Sequence, residues 1–183
     1  SEWQGISFHE LSGTCTSVVA GREFYSLFYR SLLSRNVQLA PKWLDQKQKI
    51  AQWLATEFLG VPVNPKKSHL FSVGAGLGVV EEWLWEHGYY VDVLECEPNS
   101  LASLKKRIPQ IRCVIGDARC IPCRSGAYDL VYMSGVDYSF DRYQYRQVLA
   151  EMGRLTKLDG KIVSVCISNL SLKGIIKGCV KSL

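Results

Sequence analysis

The sequence predicts an α/β domain built on a doubly wound parallel sheet, and three observations carry that expectation. From His69 onward, apolar runs of strand length alternate with helical patterns. Those runs are nearly continuous in apolar residues. The first of them passes into the helix behind it through a glycine-rich turn, Gly74-Ala75-Gly76-Leu77-Gly78. Alternating strands and helices imply parallel strands joined by right-handed crossovers, with helices on both sheet faces. A strand covered on both faces has no polar side to alternate with, which accounts for the continuous apolar runs.

Residues 1–20 are polar and small and read as an irregular lead-in. Over 21–35, Phe24, Leu27, Phe28, Ser31 and Leu32 recur at helical spacing, with Asn36 as a stop. Pro41 opens a second helix that carries Trp43, Leu44, Ile50, Trp53, Leu54 and Phe58 and is closed by Gly60 and Pro62. The predicted strands are 69–73, 90–95, 111–115, 128–133 and 161–167. The predicted helices are 77–88, 98–107 and 141–157, with a short turn or helix near 118–123. The expected strand order is 3-2-1-4-5. Residues 1–67 read as an amino-terminal helical extension that forms a lid or acceptor region. Residues 68–168 read as the core. Residues 169–183 read as a closing segment whose Leu172, Ile175, Ile176 and Val180, with lysines between, suggest an amphipathic helix.

With 183 residues, 47% hydrophobic and 21% charged, the chain suits one folded domain rather than a disordered one. The net charge of +5 is scattered, so its short clusters read as solvated faces and helix ends. A nucleic-acid or anionic-lipid surface is the weaker reading. No apolar run approaches the roughly 20 residues that span a bilayer. The start lacks a basic stretch followed by an apolar one, so no signal peptide is expected. The seven cysteines are odd in number, and Cys113 and Cys166 lie in apolar strand contexts, as expected of reduced thiols in a cytoplasmic protein. Cys120 and Cys123 make one CxxC, and His9, His69 and His87 are not at ligand spacing, so no metal is expected. The chain begins at Ser1, which suggests a piece of something longer.

The glycine turn lets backbone approach a nucleotide with no side chain between them. A plain tight turn with close strand–helix packing is the alternative. The second strand ends at Glu95, about 20 residues beyond the glycines, where a carboxylate can accept hydrogen bonds from both ribose hydroxyls. Glu97 is the competing carboxylate; Glu95 is preferred because it directly ends the apolar run. Tyr25 and Tyr29 read as core packing or as a lid. Trp83 and Trp85 read as packing on the first core helix. Asp137, Tyr138, Asp141 and Tyr143 follow the fourth strand, at the edge where ligands bind in such sheets. Asp137 and Tyr138 are the candidate catalytic residues, against the alternative of a solvated loop and helix cap.

Together with Gly116-Asp117-Ala118, Ile121-Pro122, Tyr128-Asp129-Leu130-Val131 and Leu158-Asp159-Gly160-Lys161, these motifs resemble, in order and spacing over about residues 68–168, the class I S-adenosylmethionine (SAM) dependent methyltransferases of the type 11/25-like core. The resemblance implies a Rossmann-like fold, SAM as cofactor and methyl transfer. It implies that Ser72, Gly74, Ala75, Gly76, Gly78, Glu95, Cys96, Asp117, Ala118 and Ser134 line the cofactor, with Asp117 near the adenine amino group and Ala118 beside the ring. Two departures stand out. The family usually has an acid two residues before the first glycine, and here that residue is Ser72. The family core also adds sixth and seventh strands, for which the residues after Ile167 are too few. The edge of the fifth strand is then expected to be covered by the Leu170–Leu183 segment, by a second copy or by a longer parent chain. The expected acceptor is a small molecule or sugar-like metabolite. The other readings are a non-catalytic scaffold or regulatory module of the same fold, an RNA or protein methyltransferase, and an NAD-dependent oxidoreductase. The GxGxG spacing argues against the last of these.

Overall fold

The computed structural model describes residues 2–3, 6–7, 22–35, 38–59 and 68–166. Two short strands, β1 (Glu2–Trp3) and β2 (Ile6–Ser7), pair antiparallel where an irregular lead-in was expected. Two helices follow, α1 (Arg22–Ser34) and α2 (Pro41–Phe58), and Pro41 starts the second, where its missing N–H costs nothing. The core then runs β3 (His69–Val73), α3 (Val79–Glu86), β4 (Tyr90–Glu95), α4 (Pro98–Arg107), β5 (Arg112–Ile115), β6 (Tyr128–Ser134), a 3₁₀ turn (Asp137–Ser139), α5 (Arg142–Leu155) and β7 (Thr156–Val165). The expected amphipathic helix over 170–183 lies outside the described residues. No helix among the described residues is long and apolar enough to cross a membrane.

The sheet has the order β5-β4-β3-β6-β7 and every pairing in it is parallel, which is the expected 3-2-1-4-5 arrangement. Side chains alternate across it with the period of two that a pleated strand imposes. Leu70, Leu130 and Tyr132 face a core filled from α2, α3 and α4 by Ile50, Leu54, Val80, Leu84, Leu101 and Leu104. Phe71, Val73, Val131 and Met133 face the opposite core, filled from α5 by Val148, Met152 and Leu155. The second helix of the amino-terminal extension is thus part of a principal core layer.

Two boundaries differ from expectation for a visible physical reason. Helix α3 begins at Val79, because Gly76 and Gly78 hold left-handed φ values of +55° and +72° that keep the turn open two residues longer. Of the turn or helix expected near 118–123, the structure has the turn, closed by a tight antiparallel bridge between Asp117 and Cys120. The last strand starts at Thr156 rather than 161. Tyr128 pairs with Thr156 and Leu130 with Lys161, so β7 bulges between these points and extrudes the expected Leu158-Asp159-Gly160 turn from within the strand, with Leu158 fully exposed. A Cβ at Gly160 would stand 3.0 Å from the carbonyl oxygens of both Tyr128 and Asp129. Glycine is required there by close backbone approach.

Candidate functional site

In the observed strand order the chain moves outward from β3 through β4 to β5, then returns to β6 on the other side of β3. This reversal leaves a crevice at the carboxyl ends of β3 and β6, the place where open α/β sheets bind ligands. A cleft of about 1020 Å³ lies there, at the top of the range of about 300–1,000 Å³ common for small-molecule sites. Its floor is the glycine turn, one end is the β4–β5 edge and the other is the end of β6. Its roof is α1 with part of α2.

The glycine turn is held from both sides. The amides of Gly74 and Ala75 donate to the carbonyl oxygen of Leu94, at 2.8 and 3.2 Å. From α4, the guanidinium of Arg107 donates to the carbonyl oxygen of Leu77 and to the Glu82 carboxylate. The amide of Gly76 donates to Glu95 Oε2 at 2.8 Å, and the amide of Cys96 to Oε1 at 2.8 Å. Glu95 is therefore aimed back over the glycine turn, and it lines the cleft. Glu97 is committed elsewhere. It caps α4, accepting from the amides of Asn99 and Ser100 at 2.7 and 3.1 Å, and it does not line the cleft. Local hydrogen bonding thus separates two carboxylates that stand two residues apart.

Ser72, Gly74, Ala75, Gly76, Gly78, Glu95, Cys96, Asp117, Ala118 and Ser134 all border this one cleft. Asp117 and Ala118 stand at its β5 end. The Asp117 carboxylate receives Arg119 Nε at 2.9 and 3.0 Å, and those hydrogen bonds hold its pKa below the usual range against a smaller opposing effect of burial. The two candidate catalytic residues part company. Tyr138 is on the cleft wall and half exposed, whereas Asp137 is not among the lining residues and stands near Tyr145 on α5. Asp141 caps α5 by a capping box with Gln144. Cys123 is partly buried against the α5 core, and Cys120 is exposed.

Helix α1 closes the cleft from above. Leu77 of the turn packs against Phe28 and Leu32. The Tyr29 hydroxyl reaches to within 2.6 Å of where a Cβ on Gly76 would lie. Tyr25 shares a 2.9 Å hydrogen bond with Ser139 beyond β6. Burial raises the pKa of both phenols, with Glu95 and Tyr138 adding to it, so both stay protonated at neutral pH. As phenols they can donate hydrogen bonds.

Sequence reasoning passed over two charged residues. Glu81 projects from the first turn of α3 onto its buried face, beside Val80 and Leu84. Its Oε1 accepts from Ser72 Oγ at 2.6 Å and from the Tyr132 hydroxyl at 2.8 Å. Ser72 and Tyr132 are direct partners across β3 and β6, so one sheet position serves the carboxylate twice. Lys47 reaches in from α2 and donates to Ser134 Oγ at 3.3 Å and to the Ser134 carbonyl oxygen at 3.4 Å. An acid within the apolar stripe of a helix is the one signal that could have identified Glu81. Nothing local marks Lys47.

Burial raises the Glu81 pKa, while its hydrogen bonds and Lys47 pull it back only in part. An acid whose folded pKa is raised costs the folded state nothing while both states are protonated. The cost develops above the ordinary value of 4.5 and grows until the pH passes the raised value. Glu81→Gln should therefore flatten the fall in thermal midpoint between pH 4.5 and neutrality. An unchanged slope in a pH series of melting curves would show that Glu81 does not carry that dependence.

Residues 71–160 match the family described as a methyltransferase domain. Among solved structures, the PH0226 protein from Pyrococcus horikoshii OT3 aligns with a TM-score of 0.64 at 16% identity, over 73% of this chain and 58% of its own. The glycopeptide N-methyltransferase MtfA complexed with SAM aligns with a TM-score of 0.57 at 20% identity, over 67% of this chain and 56% of its own. SAM-bound CalS10, an amino pentose methyltransferase from Micromonospora echinaspora, aligns with a TM-score of 0.57 at 21% identity, over 78% of this chain and 56% of its own. The chain thus spans little more than half the length of these structures. No curated protein sequence matches it.

Proposed function

Because residues 71–160 match the methyltransferase domain family and the sheet has the class I, Rossmann-like strand order, we propose that the cleft binds SAM and that the protein transfers its methyl group to a small-molecule or sugar-like acceptor. The observation that carries this reading is the convergence of the glycine turn and Glu95 on one wall of the cleft, with Asp117 and Ala118 at the next strand end. The residues fit the group. Among the three left-handed glycines, Gly76 is the one whose added Cβ would stand against the roof, at the Tyr29 hydroxyl, while Gly74 and Gly78 make room for Val136 and Leu104. The buried Glu95 carboxylate lies over the turn, its Oε2 accepting, among the described residues, only from Gly76.

In this reading Glu95 accepts the ribose hydroxyls, Ala118 packs beside the adenine, and Asp117 accepts its amino group. The bound cofactor supplies an electrophilic methyl group on a sulfonium that is its own leaving group. The protein's part is then to orient the acceptor in line and exclude water. The roof of Phe24, Tyr25, Phe28 and Tyr29 suits the second task, and Tyr138, with Phe140, offers a wall for the acceptor. The acceptor class is supported by the size of the cleft and by the amino sugar and glycopeptide enzymes among the similar folds. The division of labour proposed is an acceptor-facing lid within 1–67, a cofactor core over 68–168 and a covering segment at 169–183. Among the described residues β7 pairs only with β6, so that segment, a second copy or more of a parent chain is proposed to cover its free edge. A cytoplasmic setting is proposed with it.

Calorimetric titration with SAM and with its demethylated product, S-adenosylhomocysteine, is the direct test; absence of binding to both removes the reading. Glu95→Ala should weaken S-adenosylhomocysteine binding by about 1.5–3 kcal/mol, the range of hydrogen bonds to a charged group. The variant should remain folded. Unchanged affinity would take Glu95 out of the site.

A further inference from the structure

The cleft reads along the sheet as a sequence of strand ends. Asp117 and Ala118 follow β5, Glu95 ends β4, the glycine turn follows β3, and Ser134 ends β6. With the nucleoside placed over β5 and β4, an elongated ligand must put its remaining part between β3 and β6. Lys47 and Glu81 stand at that end, and neither belongs to the family's motif.

The two charges do not pair directly. Lys47 donates to Ser134, and Glu81 accepts from Ser72 and Tyr132. Ser72 lines the cleft and gives its proton to Glu81, so its oxygen remains an acceptor with a carboxylate behind it. The serine at the position where an acid is usual thereby gains a negative charge from the neighbouring helix. On the other side, the Lys47 ammonium lies 5.6 Å from the centre of the Trp43 ring and has donor capacity beyond Ser134. One cation and one anion, each partly deprived of water, are complementary to a ligand end that carries both charges.

We propose that Lys47 and the Ser72–Glu81 pair form the recognition site for a zwitterionic α-amino acid end, the methionine portion of the cofactor. Lys47 Nζ takes the carboxylate. Ser72 Oγ, backed by Glu81, takes the ammonium. The proposal rests on the SAM reading of the cleft and adds to it a binding residue from the amino-terminal extension, so that the ligand ties α2 to the end of β6.

Two ligands separate this from the underlying reading. S-adenosylhomocysteine carries the amino acid end; 5′-methylthioadenosine has the same nucleoside and sulfur but lacks it. In calorimetric titrations of the full chain, Lys47→Met and Glu81→Gln should each weaken S-adenosylhomocysteine binding about 10- to 100-fold, the equivalent of one charged hydrogen bond. Both should leave 5′-methylthioadenosine affinity unchanged. Lys47→Arg, which keeps the charge, should retain most of the discrimination and serves if Lys47→Met does not fold. Decarboxylated SAM should be insensitive to Lys47→Met but sensitive to Glu81→Gln. If the wild type binds S-adenosylhomocysteine no better than 5′-methylthioadenosine, or if the variants weaken both equally, the assignment is wrong while the nucleoside site stands. If the wild type binds neither ligand, both readings fall together.

Discussion

Gly76→Val is expected to abolish measurable binding of S-adenosylhomocysteine, a loss of about 100-fold or more. Three effects act together. Gly76 holds φ +55°, where a β-branched residue is strained by about 1–2 kcal/mol or more. Its Cβ would lie 2.6 Å from the Tyr29 hydroxyl and force the roof to shift. Any relaxation of the turn also moves the amide that orients Glu95. Destabilisation of the fold could imitate this result, so a control is needed. Gly126 has φ +61° and nothing within 4 Å of its added Cβ, so Gly126→Val carries comparable backbone strain away from the cleft. The expected pattern is a lowered melting temperature in both variants and lost binding only in Gly76→Val. Equal affinity in the two variants would reduce the glycine turn to a structural device.

Leu54→Ala should destabilise the protein by about 2–5 kcal/mol, the range for truncating a leucine in a packed core. Leu54 is fully buried in the same cluster as Leu70, Val80 and Leu84, so its loss leaves a cavity between α2 and the sheet. The size of the effect tests whether α2 is part of the folding unit. If the extension were a loosely attached lid, chemical denaturation would show a change within about 1 kcal/mol or a separate early transition. A single transition at lower denaturant is the expected result. It would mean that the acceptor-facing region and the cofactor core fold together, and that Lys47 is delivered to the cleft by a rigid helix.

The helices and strands from His69 to Leu155 were legible because their signals are local. The β3 and β4 boundaries came directly from apolar runs bounded by turn residues, and the predicted helix 98–107 coincides with α4. The start of β7 was misplaced because Leu158-Asp159-Gly160 has the composition of a turn, and only pairing with β6 shows it as an excursion within a strand. The preference for Glu95 over Glu97 was an inference from position alone. The physical basis became visible in the hydrogen bonds, since Glu97 is consumed by the amides of α4 and Glu95 is held by Gly76. Asp137 and Tyr138 could not be told apart from the chain, because a 3₁₀ turn sends adjacent side chains in different directions and only one of them reaches the cleft.

By itself the sequence determined the order of strands and helices, the glycine turn and the acid that ends the second core strand. Each of these depends on periodicity or spacing within a few tens of residues. Only the tertiary structure decided which charges meet. Lys47 and Ser134 are 87 residues apart in the chain, and Tyr132 and Glu81 are 51 apart. Their convergence at the end of β3 follows from the crossover that sets β6 beside β3 and from the apolar face that seats α2 on α3. No pattern along the chain encodes those contacts. They arise because α2, α3 and the sheet bury their apolar faces against one another, and that packing carries a lysine and a glutamate to the same crevice.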